Sequence, residues 1–173
     1  MNRLSKQDIQ RLFHLLNAEL AGQDVIGEVY LVGGAVMCLA LDARESTIDV
    51  DAVFQPTQTV REAASKVGTA VGVDPDWLND AVKGFLSPRG DFDPYLELDH
   101  LRVFTARPQY LLAMKCAALR LGEQFHDLDD VRYLLRYLNI ADPEKAMEIV
   151  TEYFDESQLK PKTRLALEEL LGG

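Results

Sequence analysis

The 173-residue chain is poor in the residues that build metal–sulfur and imidazole sites: it has two cysteines, Cys38 and Cys116, and three histidines. His14, His100 and His126 are scattered and form no ligand pair at helical spacing, which argues against a transition-metal site. Both cysteines sit in apolar surroundings and are expected to be buried free thiols, not a disulfide. Basic residues are also few, with 18 Lys and Arg against 28 Asp and Glu and a formal charge of −10. That excludes a generally basic nucleic-acid coat, because phosphate binding needs clustered Lys and Arg. A local basic patch, or an acidic site that holds Mg²⁺, stays open. No run approaches the ~20 apolar residues that span a bilayer. Residues 1–10 lack the apolar stretch of a signal peptide and read as a helix start, so a cytoplasmic protein without membrane contact is expected. What is present is globular: 47% hydrophobic and 27% charged residues, enough for a core without disulfides or a structural metal.

Ser5 and Asp8 have the spacing of a helix cap, and Ile9, Leu12, Phe13, Leu16 and Leu20 follow at helical period up to Gly22. Residues 28–32 are short, apolar and β-rich, and predict a buried strand. Gly33 and Gly34 break it, and residues 35–41 predict a short helix. Residues 47–54 alternate as a strand, with Ile48, Val50 and Ala52 on one face and Thr47, Asp49, Asp51 and Val53 on the other. A helix over 57–70 follows Pro56. Asp74-Pro75 predicts another helix through Trp77, Leu78, Val82 and Phe85. A loop over 87–93 leads to strands over 95–98 and 101–105. Beyond Arg107-Pro108 four helices are expected, over 109–121, 127–138, 142–154 and 162–171. The order implies an α+β core over 1–106 and a helical lobe over 107–173 packed on it.

The chemistry concentrates near residue 50. Asp49 and Asp51 at i and i+2 of a strand would share a face, and a pair of short carboxylates suits Mg²⁺ or Mn²⁺. The same pair also suits the wet face of an edge strand. Gly33 and Gly34, between a strand and a helix, allow close backbone approach, and the helix start offers N–H groups to phosphate. Arg44 and Thr47 add a cation and a hydroxyl just before Asp49. Lys115, among Leu111, Leu112, Met114, Cys116 and Leu119, must snorkel, pair with Asp127 or Asp130, or meet an anion. Asp127, Asp129 and Asp130 also suit a helix start. From Arg107 to Leu138 five basic residues (Arg107, Lys115, Arg120, Arg132 and Arg136) stand against four acidic ones, a small local patch in an acidic chain.

Residues 31–54 resemble the signature of the polymerase-beta-type nucleotidyltransferase superfamily: a hydrophobic strand, a Gly-Gly turn, a helix, and a strand bearing Asp-x-Asp. Fourteen residues separate Gly34 from Asp49, at or slightly beyond the long end of that family's gap. Arg44, Thr47, Asp49 and Asp51 are similar to the Arg-x-x-Thr-x-Asp-x-Asp form of minimal bacterial members, including AbiEii-type proteins of toxin–antitoxin and abortive-infection systems. Trp77 to Asp80, Arg107 to Lys115, and His126 to Val131 resemble further segments of this subgroup, with His126 where Lys or Arg is more usual.

The resemblance implies a mixed β-sheet core flanked by helices. It implies Mg²⁺-dependent transfer of a nucleotidyl group from a nucleoside triphosphate to a hydroxyl of RNA (tRNA-like), protein or a small molecule. A cognate toxin or antitoxin protein is the implied partner. Asp49 and Asp51 would hold metal. Gly33, Gly34, Arg44, Thr47, Lys115 and Asp130 would contact the nucleotide, with Lys115 neutralising phosphate charge. Full members carry a third metal carboxylate, for which Glu97, mid-strand, and Asp99, at a turn, are the candidates. The alternative is a catalytically degenerate nucleotide-binding or protein-interaction module of the same fold.

Overall fold

The computed structural model describes residues 3–118 and 127–172. His126 and Arg120, singled out above, lie outside the described residues. The chain forms two compact units, Met1–Gly84 with Phe92–Ala106, and Phe85–Asp91 with Arg107–Gly173.

The first unit is an α+β layer. Strand β1 (Leu4–Ser5) leads into helix α1 (Lys6–Gly22), and the Ser5 and Asp8 side chains cap each other's backbone N–H groups in a reciprocal box. Strand β2 (Gly27–Leu31) precedes the short helix α2 (Gly34–Leu39). Strands β3 (Ser46–Thr47) and β4 (Val50–Gln55), helix α3 (Thr57–Val71), and strands β5 (Leu78–Asn79), β6 (Phe92–Glu97) and β7 (Leu101–Ala106) complete the unit. The main sheet has the order β5-β4-β2-β7-β6 and is mixed: β2 runs antiparallel to β4 and parallel to β7. β1 and β3 form a separate two-stranded ladder.

One sheet face is dry. Val29, Leu31, Val50, Ala52, Phe54, Leu101 and Val103 are buried on it, as are the apolar stripes of α1 and α3. α1 contacts β7, α3 contacts β4, and the two helices pack on each other. The opposite face carries Asp51, Val53, Tyr30 and Phe104, all half-buried. This two-face split follows from the period of two along each strand.

Three local expectations are corrected. The strand at 47–54 starts at Val50: Ser46–Thr47 pairs with β1 instead, and residues 48–49 form a bend that leaves Ile48 52% exposed. The helix expected from Asp74 does not form. Asp74 caps a turn through the Asp76 N–H, and Leu78–Asn79 then pairs with β4. The reason is tertiary, since the Trp77 indole N–H donates to the Ala64 carbonyl at 2.8 Å and the Val50 N–H donates to the Trp77 carbonyl at 2.7 Å. Only a short 3-10 turn, Ala81–Phe85, remains of the helix. The loop at 87–93 ends early, because β6 already begins at Phe92.

The second unit contains helices α4 (Pro108–Ala117), α5 (Asp127–Tyr137), α6 (Pro143–Tyr153) and α7 (Pro161–Gly172). α4 packs on α5 and α6, and α6 on α7. The buried Thr163 hydroxyl donates to the Cys116 carbonyl, tying α7 to α4. The segment Phe85–Asp91, expected in the α+β core, belongs here. The Ser87 N–H donates to the Tyr110 hydroxyl at 3.0 Å, the Ser87 hydroxyl donates to the Tyr153 carbonyl, and the Tyr153 hydroxyl donates to Asp91 Oδ1. Cys38 and Cys116 are free and buried. Among the described residues no helix is long and apolar enough to cross a membrane.

Candidate functional site

The end of β2 and the start of β4 lie side by side. The Val32 N–H donates to the Asp51 carbonyl at 3.0 Å, which sets the turn after β2 against the first residues of β4. Gly33 has φ +73° and ψ −148°, a region that side-chain-bearing residues avoid. A Cβ at Gly33 would lie 3.2 Å from Asp51 Oδ2. A Cβ at Gly34 would lie 3.1 Å from Arg44 Nη1 and 3.2 Å from Thr47 Oγ1. Two adjacent glycines thus let a carboxylate and a guanidinium close in on the same turn.

Asp49 reaches the site by a route the i, i+2 argument did not contain. It lies in the bend before β4, where the buried Thr47 hydroxyl donates to its carbonyl at 3.1 Å. Its Oδ2 accepts from the Asn79 side-chain amide at 3.1 Å. Asn79 is also the register partner of Asp51 across the β4–β5 ladder. Both aspartates therefore border Asn79, Asp51 through its backbone and Asp49 through its side chain. The other end of the Asn79 amide accepts from the Ala81 N–H at 3.3 Å, so both ends of the side chain are held.

Asn79 is the residue that sequence reasoning missed. It was visible only as part of a motif read as helical. In a strand parallel to β4 its side-chain amide reaches Asp49 instead.

Glu97 and Asp99 do not join this group. Glu97 is on the outer strand β6, 80% exposed, with Arg102 at 3.8 Å. Three strand spacings separate β6 from β4, roughly 14 Å. Asp99 is exposed in the turn between β6 and β7. Among the described residues no three His, Cys, Asp or Glu side chains form a group that could hold a metal ion. Mg²⁺ commonly takes one or two carboxylates and completes its shell with water and substrate phosphate, so Asp49 and Asp51, which border Asn79, are the residues that could hold one.

Lys115 and Asp130 meet each other in the second unit. Nζ and Oδ2 are 2.9 Å apart, with side chains only 15% and 5% exposed. Lys115 therefore neither snorkels nor carries an uncompensated charge. Arg132 is 3.6 Å from Asp129 on the exposed surface of α5. On the first unit a cavity of about 310 Å³ borders Arg44, lined also by Lys6, Cys38 and Asp42, with neither aspartate of the site in its wall. Lys6 and Asp42 form an ion pair there at 3.0 Å.

The chain matches no family model, no curated protein and no solved structure.

Proposed function

We propose that the chain is a Mg²⁺-dependent nucleotidyltransferase that takes its nucleoside triphosphate at the Gly33-Gly34 turn. The observation that carries this reading is the approach of Asp51 to Gly33 and of Arg44 and Thr47 to Gly34. A turn of two small residues, flanked by a carboxylate and a cation, suits a phosphate chain that arrives with a divalent ion. Helix α2 has only six residues, so the backbone of the turn, not a helix dipole, meets the phosphates.

Asp49 and Asp51 would hold the ion, which when bound supplies charge neutralisation for the phosphates and activation of the acceptor hydroxyl. Asn79 orients the Asp49 carboxylate through its amide N–H. Thr47 fixes the bend that carries Asp49. Gly33 and Gly34 let the phosphates approach the backbone, and Arg44 stabilises negative charge that builds on the leaving phosphates. The acceptor is a hydroxyl on RNA, protein or a small molecule. The resemblance of residues 31–54 to nucleotidyltransferases of toxin–antitoxin systems makes a cognate toxin or antitoxin protein the expected partner.

A second reading is a nucleotide-binding module without transferase activity. The exposed position of Glu97 and Asp99, away from Asp49 and Asp51, favours it. The test is incubation with labelled nucleoside triphosphates, Mg²⁺ and total RNA or protein. Label transfer that is lost in Asp49→Asn and Asp51→Asn supports the enzyme. Mg²⁺-dependent nucleotide binding without transfer selects the module. Absence of nucleotide binding by calorimetry overturns both.

A further inference from the structure

The half-buried sheet face beside Asp51 carries aromatic rings that the phosphate site does not use. Register fixes their place. Val53 follows Asp51 by two residues on the same face, and Tyr30 is the cross-strand partner of Val53. Phe104 is in turn the partner of Tyr30 on β7. Two residues along a strand and one strand across put Tyr30 roughly 8 Å from Asp51. The Tyr30 and Phe104 rings stack with centroids 4.8 Å apart and an interplanar angle of 10°. Phe92 meets Tyr30 edge-on at 5.2 Å. These three residues and Val53 are all half-buried, not enclosed.

One face of the Tyr30 ring lies against Phe104 on β7, so its other face looks toward β4 over the short side chain of Val53. The Tyr30 hydroxyl donates to Glu28 Oε2 at 3.4 Å, in the next row away from Asp51. The ring is thereby braced on three sides. An apolar floor, a fixed aromatic wall and a neighbouring phosphate site are what a nucleobase needs, since every base offers a π-face for stacking.

We propose that the β4-facing side of Tyr30, above Val53, is the base-stacking subsite for the nucleotide whose phosphates lie at Gly33 and Gly34. The inference rests on the phosphate-site reading above and extends it to the base. Stacking of this kind is indifferent to base identity, so the four common nucleoside triphosphates are expected to bind within a few-fold of one another.

Calorimetry with Mg²⁺ tests it, comparing each nucleoside triphosphate with inorganic tripolyphosphate, which has the charge but no base. The wild-type chain is expected to bind the nucleotides at least about tenfold more tightly than tripolyphosphate, as one stacked base allows. Tyr30→Leu should erase that difference and leave tripolyphosphate binding unchanged; Tyr30→Phe should keep it. Val53→Phe, which sets a ring where the base would lie, should have the same effect as Tyr30→Leu and serves if Tyr30→Leu does not fold. Equal wild-type affinity for tripolyphosphate and nucleotides overturns the stacking subsite while the phosphate site stands. Unchanged nucleotide affinity in a folded Tyr30→Leu or Val53→Phe variant does the same. A wild-type chain that binds neither ligand overturns the phosphate site and the subsite together.

Discussion

The Asn79 side-chain amide donates to Asp49 Oδ2 at 3.1 Å, from a strand whose backbone is in register with Asp51. This bond holds a carboxylate that sits in a bend, outside the sheet ladder, where nothing in strand geometry would orient it. Removing an orienting partner of a metal-binding carboxylate typically weakens metal affinity 10–100-fold, so Asn79→Leu is expected to lower Mg²⁺-dependent nucleotide affinity by about that factor. Calorimetry on the variant checks it, with a thermal melt to show that the fold is intact. Undiminished affinity in a folded variant would remove Asn79 from the site.

Gly33→Ala should be more damaging than Gly72→Ala. Both glycines have positive φ, at +73° and +78°. At Gly72, the C-cap of α3, a Cβ meets nothing within 4 Å, so the cost is the left-handed backbone alone, about 1 kcal/mol. At Gly33 the backbone lies in a region nearly restricted to glycine and the Cβ also crowds Asp51 Oδ2, so the loss should reach the upper part of ~1–3 kcal/mol. Chemical denaturation of the two variants measures the difference. Gly33→Ala alone should also weaken nucleotide binding.

The Lys115–Asp130 pair predicts strong non-additivity. Lys115→Met removes the cation 2.9 Å from a carboxylate that is 5% exposed and is expected to cost ~3–5 kcal/mol, with Asp130→Leu costing about the same. Replacing both together should recover most of that loss, because no charge is then stranded. A double-mutant cycle by urea unfolding reads this directly. Simple additivity of the two losses would mean that the contact does not couple them.

Stability should fall as the solution becomes alkaline. Burial pushes the Cys116 thiol up from 9.0 to about 12, and burial also raises Cys38. Burial raises Tyr110 as well, and raises Tyr153, beside Asp91, further still. In the unfolded chain these groups lose their protons first, so the native state binds more protons and stability declines with rising pH. For Cys116 the contribution is fully present below about pH 9 and is lost progressively toward pH 12. Urea midpoints across this range check the sign. Both thiols should also resist alkylation in the native state at pH 8 and react once the chain is unfolded.

Much of the first unit was legible because its signals are local. The Ser5–Asp8 box, the stripe of α1, the apolar run of β2 and the glycines that end it each need only neighbours in sequence. The pairing of Gly33 and Gly34 with Asp51, Arg44 and Thr47 was expected as a cluster, and these residues do lie together. Lys115 was restricted to three fates by its apolar helix, and pairing with Asp130 was among them.

What the sequence by itself determined, then, is where strands and helices begin when capping, period or glycine decides the matter within a few residues. Tertiary structure alone decided the fate of 74–91. Asp74-Pro75 is a sound helix start, yet the buried Trp77 indole and the open edge of β4 draw Leu78–Asn79 into the sheet. Ser87 and Asp91 carry no local sign of their partners, because Tyr110 and Tyr153 come from helices that start more than fifteen residues further on. The same rule governs Asn79 and the row from Val53 to Phe104. Their roles depend on which strands become neighbours, and strand order is set by long-range packing that no window of sequence contains.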